Sequence, residues 1–312
     1  GGNHTLVVNK ALTVNGGTLN IGSNRQYVGL FSGTGGIVTG AGGTLTVQQP
    51  GTNNVVFAGT FDGSVNLSVV RSTQNNSTSQ FNLSLTGVSP TTGTVTLIGG
   101  DYWNAQPSGF DKPVFNGIAL KDAGRLTGVT GITLNNGTFS INNNASSTAL
   151  NGGTAETSNQ DLTDRVNDAA PITLNGGRIY FLGRASTNSA ETLGAVTASS
   201  GMSSVAAIAG GTGTNSAEVT LTSLTRNDGA TLQIDGTNLG TAGSNNGRIF
   251  VTGALAGNLA AVGTGVGIVP GVFRGTPAST APVPVGYVVG LGFVPVGAAA
   301  GPTAYTGTLA LA

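Results

Sequence analysis

The chain of 312 residues carries twelve basic and twelve acidic side chains, a formal net charge of zero, and is long enough for one large domain or two ordinary ones. Only 8% of its residues are charged, against about a quarter in ordinary soluble domains, which argues against the basic footprint that nucleic-acid binding requires. There is no cysteine, hence no disulfide and no thiolate metal site, and no apolar run reaches the roughly 18 residues that would span a membrane.

In chain order, the hydrophobic signal has a period of two almost throughout. Leu12-Thr13-Val14, Leu19-Asn20-Ile21, Thr44-Leu45-Thr46-Val47, Val65-Asn66-Leu67-Ser68-Val69, Phe81-Asn82-Leu83-Ser84-Leu85 and Thr94-Val95-Thr96-Leu97 each alternate an apolar residue with Thr, Asn or Ser. That alternation predicts strands with one buried face. Residues 101–122 break the pattern: they hold Tyr102, the sole tryptophan Trp103, two prolines and several charges, and read as an inserted loop. One stretch, Asn159 to Ala169, reads as a helical turn. Gly-rich runs at 33–36 and 210–213 lack the lysine and helix of a phosphate loop and read as corners.

Turn pairs punctuate the strands at Asn15-Gly16, Asp62-Gly63, Asn136-Gly137, Asn151-Gly152, Asn175-Gly176, Asp228-Gly229 and Asp235-Gly236. Asn, Asp and Gly tolerate positive φ, so these are tight corners. One phrase recurs, as Leu12-Thr-Val-Asn-Gly-Gly-Thr-Leu-Asn-Ile21, Ile132-Thr-Leu-Asn-Asn-Gly-Thr-Phe-Ser-Ile141 and Ile172-Thr-Leu-Asn-Gly-Gly-Arg-Ile-Tyr-Phe181. The 40 residues between the last two suit two coils of about 20, and strand–corner–strand units at such a period predict an all-β parallel β-helix, a solenoid with irregular inserted loops. Stacked β-sandwich domains are the alternative. From about Gly253 the chain turns rich in Gly, Val, Ala and Pro, without a charge after Arg274. The organisation expected is therefore a strand-repeat region over 1–252, with the insertion near 101–122, and a terminal region over 253–312. The opening Gly1-Gly2-Asn3 reads as the interior of a longer protein.

The stretch Leu162-Thr-Asp-Arg-Val-Asn-Asp-Ala-Ala-Pro-Ile-Thr-Leu-Asn-Gly-Gly177 resembles bacterial proteins with autotransporter-associated β-strand repeats, as do Asn188–Val196, Leu221–Leu232 and, following Gly236–Gly240, Gly247–Phe250. The resemblance spans roughly residues 6–250. It implies a passenger-type parallel β-helix in a very large surface or secreted protein, hence an extracellular or bacterial cell-surface location. It implies no catalytic motif.

Nine Asp and three Glu are spread over the chain, and a polysaccharide-active β-helix would need them to converge in one groove. The local group Asp161, Asp164, Asp168 with Arg165 reads as helix capping with a surface ion pair, the other reading being a cation or substrate site. His4 is the sole histidine, too few for a zinc site or a catalytic triad. The residues best suited to contact a partner are Tyr102 and Trp103 beside Asp101 and Asp111, an aromatic pair with carboxylates that could stack on a sugar or dock another chain. The function expected is mechanical: a non-enzymatic fibre, shaft or surface layer, without cofactor or metal, that forms a homo-oligomer or polymer through its chain ends and residues 275–312. A surface adhesin binding a glycan or another cell is the alternative, and a polysaccharide-active enzyme the third reading. Neither nucleic acid nor a membrane span is expected.

Overall fold

The computed structural model describes residues 6, 10–49, 55–71, 81–99, 116–144, 160–210, 213, 215–243, 245–253, 255–257, 268–275 and 282–298. These residues are all-β, with no helix and two large sheets whose strands are mostly parallel. The first sheet runs through Arg25–Val28, Ala41–Gln49, Ser64–Arg71, Thr94–Ile98, Gly131–Asn135, Ile172–Asn175, Asn188–Ser200, Ser216–Arg226 and Asn246–Val251 in spatial order. The second runs through Val55–Phe57, Phe81–Leu85, Asn116–Leu120, Thr138–Asn142, Arg178–Leu182, Met202–Ile208, Thr231–Gly236 and Ile268–Arg274, and closes with the antiparallel strands Val283–Val288 and Gly292–Pro295.

Between Ala41 and Val251 the chain alternates between the two large sheets, in places through a short strand outside both, and each of their strands pairs with the next strand of its own sheet rather than with its neighbour in sequence. Parallel pairing needs a crossover, and here the crossover is a strand of the opposite sheet. The corners make this possible. At Asn175-Gly176 the chain leaves the first sheet for the second; Gly176 has φ 74°, and a Cβ there would meet the Asn136 side chain at 2.2 Å. An Asn-Gly pair that would close a hairpin in isolation thus directs the chain to another layer. Asp235-Gly236 is different: it lies inside the strand Thr231–Gly236, and Gly236 has no positive φ.

Like residues stack on like in the interior. Leu45 pairs with Leu67, Leu67 with Val95, Val95 with Ile132, Ile132 with Ile172, Ile172 with Val196 and Val196 with Leu224. A second column runs Val47, Val69, Leu97, Leu134, Leu174 and Ala198. All of these side chains are buried, and each aliphatic one contributes about 1.5–3 kcal/mol by leaving water. The step from Ile132 to Ile172 spans 40 residues yet joins adjacent strands, so it is one pass of the chain and not two of 20. Passes range from 19 residues (Gln26 to Leu45) to that 40.

Two local expectations change. The stretch 116–120, placed in the 101–122 loop by composition, is a strand of the second sheet, paired on both sides, with Ile118 and Leu120 in the core. The helical turn at 159–169 does not form: among its described residues Asp164 has φ 54° and Val166 bridges Leu126 in a third, narrower set of strands. Hydrogen bonds from distant residues, detailed below, outweigh the weak local helix preference.

The described part of the terminal region adds Leu255–Gly257 to the first sheet and otherwise continues the second. The hairpin Val283–Pro295 buries Val285, Phe293 and Val294, with Tyr287 edge-on to Phe293 at 5.3 Å. The Tyr287 hydroxyl donates to the Val251 carbonyl (3.1 Å) and accepts from the Val251 N–H (3.0 Å), holding the hairpin on the last strand of the first sheet.

Candidate functional site

Two features stand out from the ladder: an open face and a buried polar knot. The outward residues of the first sheet form columns in the same register as the core. Thr46 stacks on Ser68, Ser68 on Thr96, Thr96 on Thr133, Thr133 on Thr173, Thr173 on Thr197 and Thr197 on Thr225. This is a hydroxyl on every strand for seven strands, spaced by the ~4.8 Å between neighbouring strands. Thr46 is closely packed and the other six are partly exposed. β-Branching leaves the six threonines of the column few rotamers, so it is stiff.

The columns on either side are uncharged across the same strands. Thr44, Asn66 and Thr94 lie on one flank, where Asn66 Oδ1 accepts from both the N–H and the hydroxyl of Thr94 at 2.9 Å. On the other flank lie Val70, Ile98 and the pair Asn135–Asn175, in which Asn175 Nδ2 donates to Asn135 Oδ1 at 2.8 Å. Ile98 is 42% exposed. The outer face of the second sheet contrasts sharply: Ser84, Ala119, Ser140, Tyr180 and Ala206, one column of it, are all buried. Across these strands one face is therefore open and the other covered, the cover ending at Val56, next in register to Ser84 and 43% exposed.

The knot centres on Arg165, expected at the surface and found with no exposed area. Its guanidinium donates from Nε to Asn143 Oδ1 (2.6 Å), from Nη1 to the Gly124 carbonyl (2.7 Å) and from Nη2 to the carbonyls of Asn142 and Gln160 (3.3 and 3.4 Å). The Glu191 carboxylate, 2% exposed, accepts the backbone N–H groups of Arg165 (3.2 Å) and Val166 (2.9 Å). Asn143 also donates to Asp161 Oδ1 at 3.2 Å. Asp164 and Asp168 stay exposed. The four charged residues thus do not converge: Arg165 turns inward and Asp161 joins it through Asn143. Glu191, which sequence reasoning missed, supplies the carboxylate; its alternation with Ser189 and Leu193 as buried positions was the available signal.

Burial pushes the Glu191 carboxyl up to about 8, against the two backbone hydrogen bonds and the nearby Arg165 charge, which favour the ionised form. The Asp168 carboxyl is also raised, first by partial desolvation and then by Asp164. The folded value for Glu191 lies above its ordinary 4.5, so the folded state holds a proton that the unfolded chain has lost between those limits. Stability is then greatest below about pH 4.5 on this account and falls as pH rises to 8. Each pH unit of separation is worth about 1.4 kcal/mol, which puts the loss on the order of a few kcal/mol. Urea unfolding of wild type and Glu191→Gln at pH 5 and pH 8 checks it: the wild-type midpoint drops and the Gln variant's stays level. Parallel drops in the two proteins would assign the pH dependence elsewhere.

The remaining site expectations lie outside the described residues: Tyr102, Trp103, Asp101 and Asp111 fall in the segment 100–115, and His4 at the start of the chain. Among the described residues no three His, Cys, Asp or Glu side chains gather as a metal site would require, and no helix is long and apolar enough to cross a membrane. No protein-family model, curated protein or solved structure matches the chain.

Proposed function

We propose that the chain is a length of parallel β-helix with a mechanical role on the outside of a bacterial cell, as a fibre, shaft or layer that associates with copies of itself. The observation that carries this reading is the register: core residues stack strand on strand through successive passes, so backbone hydrogen bonds run continuously along the axis. Such an array resists bending and extension without any moving part.

The charged groups support a structural use. Glu191 is engaged with backbone N–H groups, and Glu218 pairs with Arg248. The acidic side chains so placed tie one segment of the chain to another, which fits a protein that acts without catalysis. Residues 275–312 were expected to await a neighbour, but 283–295 already have one in the terminal strand of the first sheet. Association through the ends therefore rests on the rest of that tail and on the opposite end of the ladder.

Negative-stain electron microscopy of the purified chain at several concentrations tests the proposal. Rods, filaments or sheets with a subunit of ladder length are expected. Compact globular particles with no long axis, at every concentration, would refute it.

A further inference from the structure

We infer that the outward threonine column of the first sheet is a lateral interface on which a second copy of this chain packs, face to face. The inference rests on the self-associating, mechanical reading above and names the surface that serves it.

Three observations lead to a second copy rather than another occupant. The first is periodicity. The column between Thr46 and Thr225 repeats at the strand spacing, and an identical ladder has the same repeat by construction. Two such faces stay in step along their whole length, with methyl and hydroxyl groups interdigitating as in paired sheets of identical strands.

The second is charge. The described outward positions in the three columns from Thr44 to Thr225 are uncharged, so closing the face strips no ion of its hydration. The exposed Ile98 at its edge gains by the same closure. A chain of zero net charge has no long-range repulsion to hold copies apart.

The third is area. Each outward position commands about 6.6 by 4.8 Å of sheet, so three columns over seven strands offer roughly 650 Å² per copy, or about 1,300 Å² for the pair. That exceeds the ~1,000 Å² that separates specific association from incidental contact. The covered outer face of the second sheet offers no equivalent.

Sedimentation velocity of the full chain over a hundredfold concentration range tests the inference. Wild type is expected to shift to a dimer or larger species, and Thr133→Lys/Thr173→Lys, which places two ammonium groups at the centre of the face, to weaken association at least tenfold while keeping its circular dichroism spectrum. If that variant misfolds, cysteine trapping decides: the chain has no cysteine of its own, so oxidised Thr133→Cys can be captured only by another copy. Val88→Cys, at a 46% exposed position off this face, is the control and should form no disulfide-linked dimer. Three results would overturn the inference: a monomeric wild type at all concentrations; equal capture of both cysteine variants; or association lost on deleting residues 275–312 but kept in the lysine variant. The last would leave the mechanical reading standing and move assembly to the chain end.

Discussion

Replacing Arg165 with methionine is expected to destabilise the protein by about 3–5 kcal/mol, the usual effect of removing one member of a buried charged network. The aliphatic stem would be kept, so the loss falls on the hydrogen bonds. Asn143 Oδ1 and the carbonyls of Gly124, Asn142 and Gln160 would lose the guanidinium donor they share. A buried acceptor left without a donor costs about 1–3 kcal/mol. Loss of the positive charge would also push Glu191 further up, because that charge opposes its desolvation. Arg165→Lys should recover little: one ammonium cannot satisfy acceptors arranged for a planar fork. Urea unfolding monitored by circular dichroism checks both variants. A Met variant within about 1 kcal/mol of wild type would mean that segment 160–170 is held by something other than this side chain.

The second large effect is expected from Phe57→Ala. Phe57 sits among Phe31 and Phe61, with ring centroids 4.6 and 5.2 Å away and all three rings buried. Truncation to alanine in such a core costs about 3–5 kcal/mol, and each lost ring pair adds about 0.5–1.5 kcal/mol. Val56→Ala is the matched control: Val56 is 43% exposed on the adjacent position of the same strand, and its loss should stay within about 0.5 kcal/mol. If the proposed β-helix holds, contacts reach only neighbouring passes, so the damage stays local. Hydrogen exchange in Phe57→Ala should quicken around residues 28–61 while the strands beyond residue 170 keep wild-type protection. Uniform quickening along the chain would contradict a ladder of neighbour contacts.

The strands of the first sheet were legible in the sequence because each has one wet and one dry face, and period two survives in Thr44–Val47 and Thr94–Leu97 without tertiary information. Their partners were not legible. The phrases beginning at Ile132 and Ile172 look like two copies separated by an intervening coil, yet the strands lie side by side; their spacing includes residues 145–159, and a count along the chain cannot distinguish an insertion from a coil. Arg165 failed for another reason. Local pattern assigns an arginine among aspartates to a surface helix, whereas here the acceptors on Asn143 and Gly124 lie 22 and 41 positions away. The threonine column was visible only as composition; its in-register stacking is a property of pairing. For Tyr102, Trp103, Asp101 and Asp111 the sequence reading is the only one, since they lie outside the described residues.

The unequal passes have a consequence for how such a protein can change. Between Leu45 and Leu67 the chain uses 22 residues and between Ile132 and Ile172 it uses 40, yet both steps advance by one rung. Segment length is thus uncoupled from rung geometry. New peptide can enter a connection without shifting the register of any strand, because the closure entropy of a longer loop grows only slowly. Segments could be acquired, swapped or discarded there while the paired strands keep their register, so the connections can vary independently of the ladder they join.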